Sequence, residues 1–78
     1  MAKAYVKIWV KAGKEREVKE HLQDFDEVMT ADITAGEQDL ISLIEAPSYE
    51  SLLELVAKKL RKVEGVEKTV TNLIFEDH

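Results

Sequence analysis

The stretch "EVMTADITAGEQDLISLIEA", residues 27–46, decides the fold because it holds two strand-like runs joined by a short turn. The first run, "EVMTADITA", is rich in β-branched residues and alternates along its length, which predicts a β-strand. The second run, "QDLISLIEA", predicts another strand, and its apolar residues fall on both faces. Gly36 lies between the two runs, and so short a connection predicts an antiparallel hairpin.

The segment before this hairpin predicts one strand followed by one helix. "AYVKIWVK", residues 4–11, alternates as a strand does. "GKEREVKEHLQDF", residues 13–25, is an amphipathic helix with Gly13 at its start. Its expected apolar stripe is Val18, Leu22 and Phe25.

The segment after the hairpin repeats this pattern in the order helix, then strand. Pro47 ends the preceding strand, Ser48 is a favourable N-cap, and Gly65 is suited to end the helix with a positive φ. "VEKTVTNLIFE", residues 66–76, is the last strand. The expected stripe of this helix is Leu52, Leu53, Val56, Leu60 and Val63.

The resulting order of elements is βαββαβ, which is the ferredoxin-like arrangement of the α+β class. Right-handed crossovers would place both helices on one face of a four-stranded antiparallel sheet. No linker or low-complexity segment interrupts the 78 residues. We therefore expect residues 1–78 to form a single domain.

Composition argues against several functional classes. The chain carries 11 basic and 16 acidic side chains, a net charge of −5. Nucleic-acid binders use Lys and Arg to neutralise phosphates, so we expect no direct nucleic-acid binding. There is no cysteine and no converging set of His, Asp and Glu, so no metal or other cofactor is expected. No signal peptide or membrane span is evident, which favours a cytoplasmic location without membrane contact.

The sheet face away from the helices is expected to be an interface between subunits. Strand three is apolar on both sides, and strand one places two aromatic residues opposite its aliphatic row. Because helices cover only one face of a sheet, a second apolar face on a small domain needs a cover, and a second copy is the simplest one. The alternative is a partly exposed apolar sheet. The predicted interface residues are Tyr5, Trp9, Ile41 and Leu43.

Three features together resemble the effector-binding (RAM) domain of Lrp/AsnC-type transcriptional regulators. They are the "T-x-G-x-x-D-L" segment from Thr34 to Leu40, the second helix ending in "VEGV", and "T-x-T" in the last strand at Thr69 and Thr71. The resemblance covers essentially the whole chain. Full-length family members also carry an N-terminal helix-turn-helix domain, which is absent from this sequence. The chain therefore looks like a stand-alone form, and the family's DNA binding is not carried over to it.

The resemblance implies an assembly and a ligand. It implies a homodimer of the dimeric α/β-barrel type, with the two sheets packed together, that assembles further into a ring of dimers. It also implies small effectors, typically amino acids, bound between subunits near the "G-x-x-D" turn. Full-length Lrp/AsnC-type regulators are possible partners.

The turn itself has the chemistry for an amino acid. Gly36 lets a ligand approach the backbone, whose N–H groups are able to hold a carboxylate, while Asp39 is able to accept from an ammonium. Each residue also has a local explanation, since Gly36 suits a turn and Asp39 is able to cap its own turn. Neighbouring candidates are Thr34, Glu37 and Gln38, and residues of secondary rank on the last strand are Thr69, Thr71 and Asn72.

Three alternative functions remain open from the sequence. An ACT-like amino-acid-binding module has the same element order, but the loop "KAGKE" lacks the acid and "PG" of that family. A small dimeric α/β-barrel enzyme would need an acid or base in a pocket, and His21 is expected on a helix surface. The third alternative is a purely structural oligomerisation partner of full-length regulators. We expect no enzyme activity and no catalytic residue.

Overall fold

A computed structural model describes residues 1–75. The elements follow the predicted βαββαβ order and confirm the ferredoxin-like fold. A 3₁₀ turn, Leu60–Lys62, extends the second helix. The strands and helices are β1 (Ala2–Val10), α1 (Glu15–Gln23), β2 (Val28–Ile33), β3 (Leu40–Ala46), α2 (Tyr49–Lys58) and β4 (Val66–Leu73).

The four strands form one antiparallel sheet in the order β2-β3-β1-β4. In the two central strands, Tyr5 of β1 lies opposite Leu43 of β3, and Ile8 lies opposite Leu40. On the other side of β1, Tyr5 lies opposite Asn72 of β4. The hairpin therefore supplies one edge of the sheet and β4 supplies the other.

The core lies between this sheet and the helices. Every second residue of β1 and β3 is buried, as the alternation of a half-covered sheet requires. Ser42 is the one polar residue among those buried in the described part of the chain, and its hydroxyl donates to the carbonyl oxygen of Thr30 at 2.8 Å. The helices contribute Val18, Leu22, Leu52, Leu55, Val56 and Leu60 to the core.

The predicted stripe of α2 is wrong at one position. Leu53 is 47% exposed, whereas Leu55 is buried beside Val56. Positions three and four residues after Leu52 return to its face of the helix, but the next residue is turned about 100° away. Leu53 therefore faces away from the core.

The helix ends agree with the sequence only in part. The predicted N-cap of α2 is confirmed, because Ser48 and Ser51 form a reciprocal capping box. The first helix begins at Glu15, two residues after Gly13. Gly65 has the expected positive φ of 99°, but it lies in the turn that leads into β4, beyond the 3₁₀ segment.

The last strand is shorter than the sequence predicts. It ends at Leu73, so Phe75 lies beyond it and is 90% exposed. Glu76, which the prediction included, lies outside the described residues. Within residues 1–75, no helix is both long and apolar enough to cross a bilayer.

Replacing Gly65 by Ala is expected to destabilise the fold by about 2–4 kcal/mol, because left-handed strain and overpacking add. Gly65 has φ +99°, and an added Cβ would lie 3.0 Å from Cγ2 of Val18 and 3.3 Å from Cβ of Lys14. Gly13→Ala is the matched control, since φ is +86° there but no atom lies within 4 Å. We expect it to cost about 1 kcal/mol. Denaturant unfolding compares the two, and equal losses would show that the contact with Val18 is unimportant.

Candidate functional site

Residues 34–39 connect β2 to β3 and form a turn, referred to below as the 34–39 turn. Its base is closed by the backbone N–H of Thr34, which donates to the carbonyl oxygen of Asp39 at 2.9 Å. The Thr34 hydroxyl donates to the carbonyl oxygen of Gln38 at 3.1 Å, and the Gln38 amide donates back to that hydroxyl at 3.2 Å. The base of the turn is thus fixed by its own residues.

Asp39 joins this turn to the end of β1. Its Oδ2 accepts the backbone N–H of Val10 at 2.8 Å, and its own N–H donates to the carbonyl oxygen of Ile8 at 3.0 Å. Val10 lies where the register between β1 and β4 shifts. The Asp39 side chain therefore accepts a backbone N–H of β1 at the point where the sheet is irregular. This role differs from capping its own turn.

The tip of the turn is open. Gly36 has φ +133° and no atom within 4 Å of the position of a Cβ. The backbone N–H groups of residues 35–38 have no acceptor within the part of the chain that the structure describes. Consecutive backbone donors of this kind are suited to an anion.

Trp9 of β1 contacts the same turn through its indole ring. Its indole N–H donates to the carbonyl oxygen of Glu37 at 2.8 Å. Nζ of Lys7 lies 3.7 Å from Oε1 of Glu37, and Nζ of Lys68 lies 4.8 Å from the centre of the Trp9 ring. Trp9 is half-buried within one subunit before any partner is considered.

A cleft of about 380 Å³ separates the turn from the start of α1. The turn contributes Thr34 and Asp39, and α1 contributes Glu15 and Arg16. Sequence reasoning missed both α1 residues because they are about 20 positions away and are brought near the turn only by the folded sheet. The complete lining is Gly13, Glu15, Arg16, Ile33, Thr34 and Asp39.

The candidate residues of β4 do not join this cleft within one subunit. Thr69 and Thr71 line a different cleft of about 530 Å³, with Leu53 and Arg61 among its other walls. Asn72 lies opposite Tyr5 and is exposed on the other face of the sheet. Strand alternation separates Asn72 from its two threonine neighbours.

The sheet face away from the helices, called the open face below, carries all four predicted interface residues. Tyr5 and Leu43 lie opposite each other at its centre, and Tyr5 is 46% exposed. Lys7 and Ile41 form the next pair along. The partly or fully exposed apolar and aromatic residues of this face that favour an interface are Tyr5, Trp9, Ile41, Leu43 and Val70.

The alternative reading of the chain as an enzyme depended on His21 and on acidic side chains that could bind a metal ion. His21 is exposed in the last turn of α1, as the sequence predicts. Residues 1–75 hold no group of three or more His, Asp or Glu side chains placed to bind a metal ion.

Comparison with solved structures places this geometry in a known fold. The hypothetical protein PHS023 from Pyrococcus horikoshii is 35% identical and superposes with a TM-score of 0.91, covering 100% of this chain and 94% of its own. The transcriptional regulator NMB0573 from Neisseria meningitidis, solved in complex with L-Met, has a TM-score of 0.85 over 97% of this chain and 51% of its own. It is 17% identical, so that likeness shows the fold alone.

Sequence comparison identifies the family. The transcriptional regulator FL11 of Pyrococcus abyssi is 32% identical over 75 residues, which are 96% of this chain and 49% of the regulator. The chain spans about half the length of the curated relatives it matches. A family model described as the Lrp/AsnC ligand binding domain matches residues 3–78. The chain therefore belongs to the Lrp/AsnC ligand-binding domain family.

Proposed function

We propose that this domain senses an α-amino acid at the 34–39 turn and assembles through its open face. The observation that carries the binding proposal is the row of backbone N–H groups at residues 35–38 beside the carboxylate of Asp39. An amino acid presents a carboxylate and an ammonium group on one carbon. The turn offers the opposite partner for each of them.

The ligand would lie along the turn and the cleft beside it. Its carboxylate would accept from the backbone N–H groups of the turn, assisted by Arg16. Its ammonium would donate to Oδ1 of Asp39 and to Glu15, because Oδ2 of Asp39 is already bonded to Val10. The cleft is open, and a neighbouring subunit would complete it. Thr69, Thr71 and Asn72 would take part only from such a neighbour.

The ammonium subsite is favourable because the Asp39 carboxylate is already held in place before the ligand binds. The Val10 N–H holds the Asp39 carboxylate at 2.8 Å, so little side-chain freedom is lost on binding. The transcriptional regulator NMB0573, which shares this fold, was solved in complex with L-Met, and this supports an amino acid as the class of ligand.

The open face supports assembly into a homodimer. Five partly exposed apolar or aromatic residues share that face, and packing it against a second copy would remove them from water. A ring of such dimers would bring further turns and clefts together. Association with full-length Lrp/AsnC-type regulators through the same face would make the domain a modulator of transcription, without DNA binding or catalysis of its own.

A thermal-shift screen of the twenty amino acids tests the sensor function. A ligand present at 100 times its dissociation constant adds about 2.7 kcal/mol, which raises the melting temperature of so small a domain by about 10 °C or more. We expect at least one amino acid to do so. If none stabilises the protein at millimolar concentration, the structural role of an oligomerisation partner replaces the sensor.

A further inference from the structure

The hydrogen bond between Trp9 and the turn tip crosses from the sheet to the candidate site. The indole N–H of Trp9 donates to the carbonyl oxygen of Glu37 at 2.8 Å, over a separation of 28 residues. Nζ of Lys68 lies 4.8 Å from the centre of the Trp9 ring, and Lys7 contacts the carboxylate of Glu37. Trp9 and Lys7 of the open face thus contact Glu37 at the turn tip, and Lys68 lies against the Trp9 ring.

This contact fixes the direction of one peptide group. A trans peptide is planar, so the carbonyl of Glu37 and the N–H of Gln38 point in opposite directions. Because the carbonyl faces the indole, the Gln38 N–H faces away from the open face. The base of the turn is closed by Thr34 without help from Trp9. The bond from Trp9 to Glu37 fixes the tip of the turn and not its base.

We infer that Trp9 is a positioning residue for the carboxylate subsite of the proposed amino-acid site. The inference rests on the proposed function and deepens it. With the indole bond in place, the turn presents an N–H donor to the ligand carboxylate. Rotation of this peptide plane would present the carbonyl oxygen in its place, and that oxygen repels a carboxylate. The open face thereby influences ligand binding through one side chain.

Trp9→Phe keeps an aromatic ring but removes the N–H donor together with part of the ring volume, so two paired probes are needed to separate the two losses. The probes are the amino acid that stabilises the wild type most in the screen and the amine obtained by removing its carboxylate. We expect Trp9→Phe to weaken binding of the amino acid about tenfold, equivalent to about 1.4 kcal/mol. Binding of the amine should change by less than about twofold. A purely structural role for Trp9 would weaken both probes by the same factor.

A measurement without ligand tests the contact itself. Trp9 is the only tryptophan in the chain, so its indole nitrogen gives one assignable NMR signal. We expect a through-hydrogen-bond coupling between this nitrogen and the Glu37 carbonyl carbon, and a lower ¹⁵N order parameter at the Gln38 N–H in Trp9→Phe. Absence of that coupling, or equal binding of the amino acid to wild type and Trp9→Phe, would overturn the inference. Failure of all twenty amino acids to bind the wild type would instead overturn the proposed sensor function.

Discussion

Replacing Leu43 by Lys is expected to convert the proposed homodimer into monomers. Leu43 lies opposite Tyr5 at the centre of the open face. Lys3 and Lys7 of β1 would flank a cation there diagonally, and Asp32 of β2, which lies opposite Ile41, would flank it on the other side. Burying a charge in an interface costs several kcal/mol in desolvation even beside one carboxylate, and a cost of about 3 kcal/mol raises the dissociation constant about 100-fold or more.

Leu53→Lys is the matched control for this experiment. Leu53 is as exposed as Tyr5, at 47%, but it lies on α2 and away from the open face. Light scattering at micromolar concentration should give one-chain mass for Leu43→Lys and the wild-type mass for Leu53→Lys. A Leu43→Lys variant that keeps the wild-type mass would show that the open face is not the interface. Trp9→Glu is less informative, because it also breaks the contact with Glu37.

Asp39→Asn is expected to weaken amino-acid binding about 10- to 100-fold while leaving the fold nearly intact. Hydrogen bonds to charged groups contribute about 1.5–3 kcal/mol, and an asparagine offers the ligand ammonium no negative charge. The amide oxygen of that asparagine is still able to accept the N–H of Val10. Calorimetry with the best amino acid of the screen measures the first effect, and thermal unfolding without ligand measures the second.

Asp39→Ala separates the two roles of this carboxylate. It removes the acceptor of the part-buried Val10 N–H as well as the charge, so it should cost the fold about 1–3 kcal/mol in addition to the lost binding. If the Asp39→Asn variant binds the amino acid as tightly as the wild type does, the carboxylate is not part of the ligand site. Its role would then be limited to holding the end of β1.

The features that sequence analysis predicted correctly are those decided by local rules. The hairpin follows from two strand-like runs joined through one glycine, and the Ser48 cap follows from a serine placed before an apolar helix. The alternation of β1 places Tyr5 and Trp9 opposite its aliphatic row, and the structure places them there. Each of these predictions uses residues within a few positions of one another.

The features that the sequence did not predict depend on contacts between distant segments. Asp39 bonds Val10 and Trp9 bonds Glu37 only because β1 and β3 pair in one particular register. Arg16 lies beside the turn because α1 packs at that end of the sheet. Nothing in the local sequence around these residues encodes the partner. Strand alternation alone predicts that Asn72 lies on the face of the sheet opposite to Thr69 and Thr71.

The proposed sensor function requires that this domain bind an amino acid at the 34–39 turn. A titration of the ¹⁵N-labelled protein with the best amino acid of the screen tests it most directly, because every backbone N–H reports its own surroundings. We expect the largest chemical-shift changes at the backbone N–H groups of Gly36, Glu37 and Gln38, together with a change of the indole signal of Trp9. Shifts confined to the α2–β4 cleft around Thr69 and Thr71, with the turn unchanged, would contradict it.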